Sequence, residues 1–461
     1  MTPTEVFDLL IRHGQIVSDV GTRHLDVGVK DGKICALAPD LQQPASRVID
    51  ASNKLVFPGF IDAHTHMGIP ILDTHSVDDF QSGTVAAACG GVTTIIDFTV
   101  QDKDQMLKDS VNARIQKAQG KCHVDFALHV NVTDLPEMHL WEIPELIDDG
   151  FTSFKVFSTY RQAGMMVTWE QFRQVLQVVH DHGGLLMLHA EDNDEVESVT
   201  AEFVASGAKA AMFHALSRSP VAESKAIHQA GQIAMDIGAP LYIVHLSSWD
   251  GLEAAVEARA QGAELYLETC PQYLVLSEEC YQEKNGHRYI TTPPLRAVED
   301  AESMWGALEE GLIDVVATDH CPFTLAQKDR GDQAFHQVPN GLPGVETLFP
   351  LLYTYGVAEE KISAEQLVRF LAANPAKIFG LYPRKGTIQI GADADLVIWD
   401  PANETVVSEE NLHGKADWSP YAGMRIAGSL EYTILRGQTL VEQGQFVGEA
   451  VQGELLLNKG V

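Results

Sequence analysis

Residues 55–67 read LVFPGFIDAHTHM. An apolar run, Leu55–Ile61, leads into Asp62 and then His64 and His66. In extended chain, residues i and i+2 face the same side, so these two imidazoles can share one ion. Alone, such a pair is better explained by two polar residues in a loop. Its weight comes from what the chain does next. Seven more strand-sized apolar runs follow, at Val92–Phe98, Val124–Val130, Ser153–Phe157, Leu185–Leu188, Leu241–Val244, Glu264–Leu267 and Asp314–Ala317. Helical stretches separate most of them, among them DQMLKDSVNARIQKAQ (104–119), TWEQFRQVLQVVHDHG (168–183) and SWDGLEAAVEARAQG (248–262). Eight β/α units predict a (β/α)8 TIM barrel, with an open doubly wound sheet as the alternative that periodicity cannot exclude.

The polar residues separate the two. Lys155 lies in SFKVFST, His189 ends LLMLH, His245 ends LYIVH and Asp319 follows DVVAT. Lys155 lies within run four, and the other three lie at the C-terminal ends of runs five, six and eight, where a barrel enzyme builds its active site. In an open sheet, runs one and eight lie far apart. In a closed barrel, His64, His66, Lys155, His189, His245 and Asp319 converge on one rim. Four neutral imidazoles and a carboxylate suit zinc or a similar divalent ion. Alternation puts Lys155 on the inner side with Ser153 and Phe157. A buried ion pair with Asp319 or Glu191 would account for it. Beside two cations, however, the free amine is favoured over the ammonium. A free amine can take up CO₂ to form a carbamate whose two oxygens can bridge two metals. His129 reads as a satisfied core histidine, Cys321 as an inert buried thiol, and His320 has no assigned role.

Outside the barrel, residues 8–57 and 386–461 give short alternating strands broken by Gly and Asp turns, which indicates a small β-sandwich. The expected division is 1–57 with 384–461 for the sandwich and 58–383 for the barrel. The net charge of −32 repels phosphate backbones and anionic lipid, so neither nucleic acid nor a membrane surface is expected as a partner. Six scattered cysteines without a CxxC pair and no leader pattern in MTPTEVFDLL point to reduced thiols in a cytoplasmic protein. The triplets at Asn131 and Asn403 are then chance matches to a glycosylation signal. No GxxxxGK[ST], no GxGxxG after a strand, no HExxH and no GxSxG occurs, which removes the main support for kinase, dinucleotide, zincin and serine-hydrolase chemistry.

Several ordered segments carry a family likeness: FPGFIDAHTHM, DDFQSGTVAAACGGVTTIIDF, TSFKVFSTY, LHAED, FHALSRSPVAE, YIVHLSS, ETCPQYL, TPPLR, VATDHCPF, PNGLPGVE and ADWSPYAGM. Over nearly its whole length the chain resembles the dihydropyrimidinase and hydantoinase branch of the amidohydrolase superfamily. The resemblance implies a TIM barrel with a flanking sandwich and two Zn²⁺ ions held by His64, His66, N6-carboxylated Lys155, His189, His245 and Asp319. It implies metal-assisted hydrolysis of a small cyclic ureide to an N-carbamoyl amino acid, with Asp319 moving the proton and Tyr160 donating to the oxyanion. It places the substrate ring against main-chain groups around Thr292 and Asn340, where Thr292 replaces the family's usual serine. It also implies a homo-oligomer, by family habit a tetramer. Gly68 and Gly164 fall in the stretches that gate the exocyclic substituent and point to a different, roomier gate. Gly68 stands where dihydroorotases carry a carboxylate-binding arginine, which counts against that activity. Allantoinase shares the ligand set and stays open. The non-catalytic collapsin-response-mediator scaffolds lack several of the ligands that are intact here.

Overall fold

The computed structural model describes residues 6–135, 139–330 and 334–458. Eight parallel strands form the central sheet: β1 (Phe60–Thr65), β2 (Val92–Phe98), β3 (Asp125–Asn131), β4 (Ser153–Phe157), β5 (Leu185–His189), β6 (Leu241–Ile243), β7 (Leu265–Thr269) and β8 (Val315–Val316). They pair in chain order. Just beyond β8, His320 pairs in parallel with Thr65. His66 N donates to His320 O at 2.9 Å, and Thr318 N donates to the Asp62 carboxylate at 3.0 Å. These bonds close the ring, so the expected barrel is present and the open sheet is not. The helices expected from the sequence run over Leu107–Ala118, Trp169–Asp181 and Trp249–Ala260.

The period-two pattern sorts each strand. Leu186 and Leu188 of β5 pack outward under the helices, while Leu185 and Met187 face the barrel interior. Leu241 and Ile243 of β6 face out, and Tyr242 faces in. Phe379, Leu381 and Leu456 join that interior cluster. Leu456 N donates to Phe126 O near the start of β3, so this segment packs at the N-terminal end of the barrel. The C-terminal end is left for polar side chains.

The run Leu55–Ile61 is not one strand. Leu55–Pro58 pairs with Leu396–Trp399 in a separate sheet, and β1 begins only at Phe60. Pro58 has no N–H to continue a ladder. Gly59 is packed so closely that a Cβ would lie 2.1 Å from Thr93 Oγ1. The Pro-Gly pair therefore turns the chain from one layer to the next.

That separate sheet has seven strands and draws on both termini, with Gln15–Ser18, Leu55–Pro58 and Leu396–Val406 as neighbours. A four-stranded sheet, built from Phe7–Arg12, Asp26–Lys30, Lys33–Ala38 and Ala45–Asp50, faces it. Leu9, Ile11, Val27, Val29, Ile34, Val56, Leu396, Ile398 and Ile434 fill the space between. Where sandwich meets barrel, the buried Lys385 ammonium binds Asp125 of β3 together with Asp393 and Asp395. Among the described residues no helix is long and apolar enough to cross a membrane.

Candidate active site

β1 carries His64 and Thr65 at its end, with His66 directly after. Their backbone is fixed from behind by Asp97 of β2, which accepts from Thr65 Oγ1 at 3.1 Å and from Met67 N at 2.8 Å. Arg114 binds Asp97 and also donates to Met67 O at 2.5 Å. β4 supplies Lys155, β5 supplies His189, His245 follows β6 and Asp319 follows β8. All six lie together at the C-terminal end. Asp319 Oδ1 is 3.2 Å from His64 Nε2 and 2.9 Å from His66 Nε2. Lys155 Nζ is 3.0 Å from His64 Nε2. The rings of His189 and His245 are 4.5 Å apart, and those of His64 and His245 are 5.4 Å apart. Tyr160, His245 and Asp319 take left-handed backbone angles, with φ of 69°, 64° and 52°. Such conformations cost free energy for residues with a Cβ and concentrate where geometry is dictated by function.

The electrostatics suit metal ligation. Burial holds the imidazoles of His64, His189 and His245 below the usual histidine range, and a neutral imidazole is the ligating form. Burial also brings the Lys155 amine down to about 8. Among the described residues Lys155 makes no ion pair, so the alternative of a simple pair with Asp319 or Glu191 is not what the structure contains. Ligand atoms of His64, His66 and Asp319 all lie within 4.8 Å of one another, and His66 Nδ1 is buried without a hydrogen-bond partner. This donor set fits divalent cations.

Three carboxylates stand behind the donor residues; from sequence, Glu191 is named only as an ion-pair alternative for Lys155, and Glu268 and Asp62 have no role. Glu268 of β7 lies 2.7 Å from His64 Nδ1 and accepts from Tyr242 OH at 2.8 Å. Glu191 lies 2.7 Å from His189 Nε2 and is bound by Arg218. Asp62 accepts from Thr318 Oγ1 at 2.5 Å, which holds the residue before Asp319. Partners of this kind fix which ring nitrogen faces a metal. Glu268 was within reach of the sequence: alternation puts it on the inward face with Tyr266, but the run Glu264–Leu267 stops one residue short.

The other residues fall into place. His129 bonds Ser153 Oγ at 2.6 Å and Ala63 O at 3.0 Å, a satisfied interior histidine. His320 Nδ1 accepts from Gly344 N and Val345 N, so its Nε2 carries the proton toward Asp78 Oδ2, 3.1 Å away. Cys321 is buried, and burial pushes its thiol up. Tyr160 stands beside His189, ring to ring at 5.2 Å, with the Arg218 guanidinium over its face. Enclosure pushes its phenol up, so it keeps its proton. Asn340 Nδ2 donates to Thr292 Oγ1 at 2.8 Å, so these two residues are joined. Gly68 and Gly164 take φ of 60° and 73°. That left-handed conformation favours glycine, a reason for those residues apart from the width of a gate.

His214 supports this wall, lying with Nε2 2.8 Å from Thr291 O. Burial lowers its imidazole to about 3. The folded chain thus keeps it neutral, while the unfolded chain protonates it below the ordinary value near 6.5. Stability from this group is present above that pH and is lost as pH falls. Urea unfolding should show a loss of roughly 2 kcal/mol between neutral pH and pH 5 from this site. His214→Gln, which keeps an N–H for Thr291, should flatten that slope. An unchanged slope would contradict the neutral, buried assignment.

Residues 55–440 match the profile described as the amidohydrolase family. The chain belongs to the amidohydrolase family. The D-hydantoinase of Ralstonia pickettii is 40% identical to this amidohydrolase over 452 residues, which is 97% of the chain and 98% of the relative. The D-phenylhydantoinase of Escherichia coli O1:K1 / APEC is 39% identical over 457 residues, 98% of each chain. The crystal structure of dihydropyrimidinase from Brevibacillus agri NCHU1002 matches this amidohydrolase with a TM-score of 0.95 at 36% identity, covering 97% of this chain and 98% of that one.

Proposed function

We infer that this amidohydrolase is a metal-dependent cyclic amidase. It opens dihydropyrimidines or 5-substituted hydantoins at the ring amide and releases N-carbamoyl amino acids. The observation that carries the inference is the convergence of His64, His66, Lys155, His189, His245 and Asp319 within contact of one another at one mouth of a closed barrel. These residues would hold two Zn²⁺ ions, with Lys155 carboxylated on Nζ as the shared anionic ligand. When bound, such ions polarise a carbonyl and bring the pKa of water to about 7.

The rest falls to the chain's own groups. Asp319, set between His64 and His66, accepts the proton of the attacking water and delivers it to the ring nitrogen as the C–N bond breaks. Tyr160 keeps its proton and donates to the oxygen that gains charge as the new C–O bond forms. Thr292 and Asn340 hold the ring. Gly68, two residues after His66, offers no cation for a substrate carboxylate, which favours a neutral ring. Tyr160→Phe should lower kcat by roughly 10²–10³-fold, the scale of one lost oxyanion donor, with metal content unchanged. A change confined to KM would refute that role.

The direct test is turnover of dihydrouracil, hydantoin, phenylhydantoin and allantoin by metal-loaded protein. Opening of the first three supports the inference, and preference for allantoin would shift it to a ureide hydrolase of the allantoinase type. Turnover of none would sink it and leave a non-catalytic scaffold, which metal content would then examine. The proposal includes a cytoplasmic homotetramer, divided into a sandwich at 1–57 and 384–461 and a barrel at 58–383. Sedimentation checks the assembly.

A further inference from the structure

Three consecutive side chains, Gln327, Lys328 and Asp329, each bond a different part of the mouth. Gln327 forms a capping box with Thr324 that opens the short helix Leu325–Lys328. Gln327 Nε2 donates to Thr74 Oγ1 at 2.7 Å and His75 O at 2.9 Å, in the hairpin that follows the two histidines. Asp329 accepts from Arg288 Nε at 2.9 Å and Nη2 at 2.7 Å and lies 2.7 Å from His287 Nε2. Between them Lys328 is completely buried. Its Nζ donates to Ile290 O and to Pro339 O, both at 2.8 Å.

Those two carbonyls lie just before Thr292 and Asn340, the residues assigned to hold the substrate ring. The two segments also meet directly: Gly341 N donates to Ile290 O at 3.1 Å, and Asn340 Nδ2 to Thr292 Oγ1 at 2.8 Å. Lys328 faces no carboxylate among the described residues; the Phe323 ring, 5.6 Å away, stands under it and the Cys321 thiol lies nearby. A buried ammonium without a counter-ion is expensive, and burial draws this amine down to about 7. An apolar side chain would fill the same space without that cost. What the amine supplies is a single point that grips two segments distant in sequence.

We propose that Lys328 is a positioning residue for substrate binding: it pins Ile290–Thr292 against Pro339–Gly341 and so sets the spacing of the groups that hold the ring. The proposal rests on the cyclic-amidase reading. None of the hydrogen bonds of Lys328 reaches the metal-donor residues, so its loss acts on binding, with the chemistry and the metals retained.

The test is Lys328→Met in the full chain, assayed on a ureide that the wild type hydrolyses. KM should rise about tenfold or more, the scale of one charged hydrogen bond, while kcat stays within about threefold and metal content is unchanged. Lys328→Gln, which keeps one donor, should fall between. Wild-type KM in both variants, or a loss of kcat or metal with KM unchanged, would overturn the proposal. Should Lys328→Met not fold, Lys328→Gln and Lys328→Arg are compared with the wild type by amide exchange: faster exchange of the Gly341 N–H in the variants supports the pin, and equal exchange overturns it. If the wild type opens no cyclic ureide at all, the functional reading fails, while Gly341 exchange still reports on the pin.

Discussion

Lys155→Ala should abolish ring opening and strip the metals in the same step. The side chain is buried between Phe98 and Phe157, 4.3 and 5.1 Å from their ring centres, with its amine against His64. With a value near 8, roughly a tenth of the amine is neutral at pH 7 even before a cation arrives, and the neutral form is the one that captures CO₂. Removing it deletes the only ligand proposed to serve both ions and leaves four imidazoles and one carboxylate for two dications. Both metal content and turnover should fall to background, and reloading of metal-free wild-type protein should be faster in bicarbonate than in CO₂-free buffer. A Lys155→Ala chain that retains both metals and full activity would refute the assignment. Loss of activity with full metal content would move Lys155 from ligand to some other role.

The second large effect lies far from the chemistry. Lys385→Met should destabilise the protein by about 3–5 kcal/mol, the cost of removing one partner from a buried ionic cluster. That is a large share of the 5–15 kcal/mol typical of a folded domain. Lys385 is buried against Asp125, Asp393 and Asp395, and these carboxylates hold its ammonium firmly charged. Asp125 keeps Arg436, and Asp393 keeps Arg384 and Lys33. Asp395 has no other cation partner among the described residues, so it bears most of the loss. Lys385→Met combined with Asp395→Asn should therefore recover part of the stability in urea unfolding. A change below about 1 kcal/mol would place this cluster with weak surface pairs.

The two predictions divide along what the sequence could reveal. The barrel and its rim were legible because alternation is local: in SFKVF and LLMLH the side that each residue faces follows from its neighbours, and the inward Lys155 and the terminal His189 stand out among apolar residues. Glu268 escaped only because a glutamate ended the apolar run. The break at Pro58-Gly59 escaped because both flanking strands are apolar, and only pairing with Leu396–Trp399 on one side and β2 on the other separates them. Lys385 and Lys328 were not legible at all. Each is one lysine among many in sequence, and its meaning lies in Asp125 or Pro339, brought beside it by the fold. The same holds for Arg114, whose helix gives no sign that it reaches Asp97 behind the two histidines.

The central claim is that six side chains from distant strands enclose two cations around a modified lysine. Diffraction from crystals of the purified protein, collected on either side of the zinc absorption edge, tests it directly. The account predicts two anomalous peaks inside the ring formed by His64, His66, His189, His245 and Asp319, with density for a carboxylate on Lys155 Nζ between them. A map with no anomalous signal there and a bare Lys155 amine would contradict it.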